Sequence, residues 1–263
     1  MAQGVTPSGA ERDAGDAGVL ARRVALARQP NPEDVSGPPL KLLLGELEWA
    51  LEPVRRFART MDIARSANPR MVLLLPGFGV HPARMRYFAR QIERAGHKVK
   101  RWGLGFNFGP DPERFAVLEQ RLVEIYERYG RQKVYLVGWS LGGLFARELA
   151  QRHPDKIAKV ISMGSPFSGS KRANNVWRVY ELITGHSVDK PPIESDTAAK
   201  PPVPTVAMWS PRDGMIRARC ACGAEGERDK AVALRCTHIG FSYAPEAIAA
   251  VLAELEDGEE IKT

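Results

Sequence analysis

The chain has 263 residues, a hydrophobic fraction of 44% and a formal net charge of +7. That length suits one large domain with a full core, and the absence of a run of about 18 apolar residues excludes a membrane-spanning helix. Lys and Arg are scattered among acids, without zinc-finger spacing or an RNA-binding aromatic signature, so the positive charge reads as a solvated surface and no nucleic-acid partner is expected.

Met1 to Gly18 lack the basic start and apolar stretch of a secretory signal, and the expected address is cytoplasmic. Residues 1–39 are rich in Gly, Pro, Ala and charge and poor in aromatics, which predicts a largely disordered extension with a short helical turn at Ala21 to Arg28. Leu40 to Arg59 differs: Leu42, Leu43, Leu44, Leu47, Trp49 and Leu51 give it an apolar side. This predicts an amphipathic helix, broken at Pro53, that packs on the body as an added element in residues 40–70. Glu46, Glu48 and Glu52 make anionic lipid a poor partner for it.

From Met71 onward, short apolar runs alternate with longer helical ones. Strands are predicted at Met71 to Leu75, Lys98 to Trp102, Lys133 to Gly138, Ala158 to Met163, Thr205 to Trp209 and Ala231 to Leu234. Helices are predicted at Pro82 to Arg94, Pro112 to Tyr129, Leu141 to Arg152 and Ala244 to Leu255, with Gly96 and Gly130 just past two of the ends. This rhythm implies βαβ units and a mostly parallel sheet with helices on both faces, over residues 71–257. Ser168 to Pro204 is too long for an ordinary connection and carries a predicted helix at Asn175 to Thr184, so it reads as an insertion.

One junction carries chemistry. An apolar run enters Gly138-Trp139-Ser140-Leu141-Gly142 and a helix starts at once. This is G-x-S-x-G in its strand–turn–helix setting, with Ser140 as the candidate nucleophile. The turn is sharp, so side chains at Gly138 or Gly142 would collide with neighbouring elements.

Through Leu74-Leu75-Pro76-Gly77-Phe78, Gly138-Trp139-Ser140-Leu141-Gly142-Gly143, Met163-Gly164-Ser165-Pro166, Ser210-Pro211-Arg212-Asp213-Gly214 and Thr237-His238, the sequence resembles the α/β-hydrolase superfamily, and more closely its lipase-like and esterase-like members. The resemblance covers about Met71 to Leu255. It implies a catalytic triad in the order Ser140, Asp213, His238, with the insertion as a helical cap. His186 is the second candidate base. Asp229 and Asp189 are weaker candidates for the acid. The resemblance further implies an oxyanion hole built from the N–H of Leu141 and that of Phe78, with Gly79 as the alternative donor in the Pro76-Gly77 turn.

The implied reaction is hydrolysis of a small carboxylic ester with an apolar acyl group, through an acyl-enzyme and without metal or organic cofactor. Trp139, Trp177 and Tyr180 are the candidate substrate-binding residues, with ordinary packing between cap and body as the alternative reading of these aromatics. Two other readings compete. An acyltransferase would use the same acyl-enzyme. A non-catalytic protein could hold zinc through Cys220, Cys222, Cys236 and His238, although C-x-C is not the usual structural spacing. A Cys222–Cys236 disulfide would need an oxidising compartment.

Overall fold

The computed structural model of the chain describes residues 9–58 and 61–257; Met1 to Ser8, Arg59, Thr60 and the last six residues lie outside it. In chain order the helices and strands are α1 (Gly9–Ala27), α2 (Lys41–Glu46), α3 (Glu52–Ala58), β1 (Met71–Leu75), α4 (Arg86–Arg94), β2 (Lys98–Arg101), α5 (Pro112–Arg128), β3 (Val134–Trp139), α6 (Leu141–Arg152), β4 (Ile157–Met163), α7 (Trp177–Thr184), β5 (Thr205–Trp209), α8 (Ala218–Cys222), β6 (Lys230–Ala233) and α9 (Pro245–Glu256). Short 3-10 turns precede α4, join α2 to α3 and precede α9.

The six strands form one sheet in the order β2-β1-β3-β4-β5-β6, and every neighbouring pair is parallel. The apolar runs dictate this. β1, β3 and β4 are buried along their whole length, because helices cover both faces. Residues of alternate parity go to opposite sides. Val72, Leu74, Tyr135 and Val137 pack with Phe88 and Ile92 of α4 and with Ile248, Val251 and Leu255 of α9. Leu73, Leu75 and Leu136 pack with Leu118 and Leu122 of α5 and with Phe145 and Leu149 of α6. Each such side chain, fully buried, contributes about 1.5–3 kcal/mol. α5 shows how locally its ends are set. The Asp111 side chain accepts from the Arg114 N–H at 2.9 Å, Pro112 occupies the first turn, and Gly130 follows the end with φ 72°.

The insertion between β4 and β5 carries α7 and otherwise irregular chain. Its return segment is fastened by Arg147 of α6. This buried guanidinium donates to the carbonyls of Thr197, Ala198, Ala199 and Glu227, and stacks 4.1 Å from the Phe167 ring centre. Burial pushes its pKa down to about 10.

Two expectations for the N-terminal region need correction. Residues expected to be disordered form α1, which lies against α7. The chain after α1 is pinned by hydrogen-bond donors from the insertion: Arg172 bonds the Pro30 carbonyl and the Gln29 side chain, Arg178 the Gln29 carbonyl, and Asn175 the Pro38 carbonyl. Low aromatic content therefore did not leave the segment loose, because backbone carbonyls supply its contacts. The expected amphipathic helix over Leu40 to Arg59 is instead α2, a 3-10 turn and α3, with Pro53 in the first turn of α3. Its polarity is also reversed. Leu44, Leu47, Leu51 and Val54 face solvent, while Glu46 and Glu52 are 4% and 5% exposed.

Among the described residues, no helix is long and apolar enough to cross a membrane.

Candidate active site

Ser140 stands between β3 and α6 with φ 53° and ψ −122°, a conformation that non-glycine residues rarely adopt. Such strain costs about 1–3 kcal/mol and persists only where the surroundings enforce it. Here they do. A Cβ on Gly138 would strike the backbone of Gly142, and one on Gly142 would strike the backbone of Leu75 and Pro76. The Ser140 N–H donates to the Met163 carbonyl at 2.8 Å, tying the turn to the end of β4.

Asp213 follows β5, and His238 follows β6. Both are buried, and His238 Nδ1 lies 2.7 Å from Asp213 Oδ2. The other carboxylate oxygen accepts from the Met215 and Ile216 N–H groups at 2.8 and 2.7 Å, so the acid is held on both sides. This arrangement fixes which imidazole nitrogen faces Asp213. Burial, the largest single influence, pushes the His238 pKa down. The Asp213 charge, its hydrogen bond and the Glu46 charge push it up, and the net direction is up from the ordinary histidine value.

The serine and the pair meet through Trp139. Its indole N–H donates to the His238 carbonyl at 3.0 Å, and the two ring centres are 5.8 Å apart. Among the described residues, no hydrogen bond joins Ser140 Oγ to the imidazole itself; such contacts are commonly loose before substrate binds. The competing acids are engaged elsewhere. Asp229 accepts from the Thr205 N–H and pairs with Lys200, and Asp189 pairs with Arg172. His186 lies in the insertion, just past the end of α7.

The two candidate oxyanion donors after β1 differ in their hydrogen bonding. The Gly79 N–H is committed to the Asn107 carbonyl at 2.6 Å. Among the described residues, no acceptor takes the N–H of Phe78 or that of Leu141. Asn107, fully buried, shapes this loop: its side chain donates to the Pro76 carbonyl at 2.7 Å and its N–H to the Val80 carbonyl at 3.1 Å. Sequence reasoning missed Asn107, since a lone Asn in a Gly-rich loop reads as an ordinary turn residue.

A cavity of about 120 Å³ opens beside Ser140 between body and insertion. Phe78, Phe115, Leu141, Phe145, Trp177 and Tyr180 line it, with Glu148 and Lys171 as its charged neighbours. Tyr180 packs 5.2 Å from Phe78, centre to centre, and burial raises its pKa to about 12. Of the three aromatic residues singled out in the sequence, Trp177 and Tyr180 line this cavity. Trp139 does not: it belongs to the apolar core against α4 and α9 and supports the His238 loop instead of the cavity wall.

The cysteines and His238 do not converge. Cys220 packs with Ala173 and Ile216, Cys236 belongs to the main core, and all three thiols are free. Burial pushes the Cys220 and Cys236 thiols up, away from the thiolate that zinc requires. No group of three or more candidate metal ligands is gathered among the described residues.

The family profile described as "alpha/beta hydrolase fold" matches residues 71–181. A pimeloyl-[acyl-carrier protein] methyl ester esterase from Edwardsiella ictaluri (strain 93-146) is 30% identical over 101 residues, which is 38% of this chain and 38% of that protein. The chain thus matches well under half the length of this curated relative. Among solved structures, the Bacillus licheniformis lipase BlEst2 superposes with TM-score 0.54 at 13% identity, covering 74% of this chain and 96% of the lipase. The carboxylesterase CesB (YbfK) from Bacillus subtilis gives TM-score 0.50 at 15% identity, covering 74% and 87%. At such identities these structures speak for the backbone alone. Together with the parallel six-stranded sheet, they show that this chain has the α/β-hydrolase fold.

Proposed function

We propose that the chain is a serine hydrolase of carboxylic esters, with Ser140 as nucleophile, His238 as base and Asp213 as the acid that orients it. The observation that carries this reading is the buried 2.7 Å His238–Asp213 pair held beside the strained Ser140 turn. A serine hydroxyl is a weak nucleophile near neutral pH and requires such a base. Ser140 Oγ attacks the ester carbonyl while His238 Nε2 takes its proton. The carbonyl oxygen becomes an oxyanion, which the Phe78 and Leu141 N–H groups receive, each worth about 3 kcal/mol of barrier. Collapse expels the alcohol, protonated by His238, and leaves an acyl-Ser140 ester. His238 then deprotonates water, which releases the acid.

The apolar cavity wall at Phe78, Phe115, Phe145 and Trp177 favours an apolar acyl chain. The methyl ester esterase among the similar proteins supports an ester substrate. Intact-mass analysis after fluorophosphonate treatment tests the class. The expected result is a single adduct on the native chain and none on Ser140→Ala. An unlabelled native chain, folded by circular dichroism, would end the proposal. A p-nitrophenyl ester series then measures acyl preference.

A further inference from the structure

α2 does what amphipathic helices avoid: it buries a carboxylate and shows its leucines to solvent. Burying an ionised carboxylate costs several kcal/mol unless hydrogen bonds replace its water. Glu46 has them. Its Oε1 accepts from the Gly214 N–H at 2.9 Å and the His238 N–H at 2.8 Å, and its Oε2 accepts from the Ile239 N–H at 2.8 Å. Gly214 is the neighbour of Asp213, and His238 is the base itself. One carboxylate from the N-terminal region therefore joins the two separate loops that carry the acid and the base.

The surroundings show that this approach is built in. The α2 backbone lies so close to the acid loop that a Cβ on Gly214 would sit 2.6 Å from the Leu42 carbonyl. On the other side, Gly45 faces the Thr237 methyl of the base loop. Next to Glu46, Glu48 pairs with Arg212 at 2.6 Å, a second tie from the same segment to the acid loop. Glu46 also lies outside residues 71–181, the stretch that matches the family profile.

We propose that Glu46 is a positioning residue, which holds the Asp213 and His238 loops in register so that the imidazole meets Ser140. This inference rests on the serine-hydrolase reading above. Glu46 touches neither Ser140 nor the cavity lining, and acts through backbone N–H groups. Removing the carboxylate frees three buried donors and lets the two loops drift apart; a displacement of about 1 Å at a reacting group can cost 10²-fold in rate. The Glu46 charge also supports the protonated imidazole. The charged or titratable groups facing His238 are Asp213 after β5 and Glu46 from α2, with Cys236 of its own loop held as a neutral thiol by burial.

The test compares native chain, Glu46→Ala and Glu46→Gln by fluorophosphonate labelling rate from pH 5 to 9, with ester kcat, KM and Tm alongside. Glu46→Ala should label about 10²-fold more slowly, with KM changed less than about 3-fold. Glu46→Gln keeps one accepting oxygen and loses the charge. It should fall between the two, and the acid limb of its pH profile should move to lower pH, because an imidazole without that negative neighbour gives up its proton sooner. If Glu46→Ala does not fold, Glu46→Gln decides alone. A Glu46→Gln chain with native rate and native pH profile, whatever its Tm, overturns the positioning role. A native chain that does not label overturns the serine-hydrolase reading instead, so the two failures are distinct.

Discussion

Helices α6 and α2 border the same candidate site and are built on opposite rules. α6 buries Phe145, Ala146, Leu149 and Ala150 against the sheet, and its first residue follows Ser140 directly. α2 turns Leu44 to solvent and buries Glu46. The first is placed by apolar burial and local chain geometry, the second by three hydrogen bonds to loops distant in sequence. A helix need not present its greasiest side to the protein when a carboxylate finds backbone donors waiting.

Substitutions can break or sharpen this contrast. The largest effect belongs to the α6 junction: Ser140→Ala should lower ester turnover by about 10⁶-fold, leaving only the contribution of binding and the oxyanion donors. Steady-state assay against a p-nitrophenyl ester reads this, and a loss below 10-fold would remove Ser140 from the chemistry. Asp213→Asn should cost about 10⁴-fold. The base must be neutral to accept the serine proton, so kcat/KM falls as pH drops through the His238 pKa. Asp213 holds that pKa up against burial, and its loss should carry the acid limb of the profile to lower pH. Asn107→Ala should cost about 10²-fold in kcat with a smaller change in KM, because the Phe78 donor loses its scaffold; equal effects on both constants would point to the cavity instead.

The mildest tests address stability, and urea titration reads both. Leu149→Ala, inside the α6 core, should destabilise by about 2–5 kcal/mol. Leu44→Ser, on the exposed side of α2, should stay within about 0.5 kcal/mol. A large loss at Leu44 would mean that the leucine face of α2 is covered in solution.

How much the sequence revealed follows the same division. Most of the strands and the Ser140 turn were legible because their signals are local: short apolar runs and a glycine on each side of the serine. The fold resemblance singled out Asp213 and His238, and the structure brings the two side chains to hydrogen-bonding distance. The rest depends on partners far away in sequence. Glu46, Asn107 and Arg147 each act through backbone groups of remote segments, and a carbonyl or an N–H leaves no mark in the amino-acid code. Hydrophobic periodicity actively misled at residues 40–54, since it assumes that burial follows apolarity. Of α1 the sequence suggested only the turn at Ala21 to Arg28, and the chain that follows it is anchored by arginines of the insertion.

The reach of the Glu46 bonds also bears on how the chain is made. Its acceptor oxygens contact donors 168 and 193 residues further along. A ribosome releases Glu46 long before Ile239, so these bonds to the Glu46 carboxylate cannot form until β6 and the loop after it have emerged. Contacts of such long range form late in folding, after the shorter loops have closed. A nascent chain can thus assemble the Ser140 turn while the loop that carries His238 has yet to be tied to Glu46.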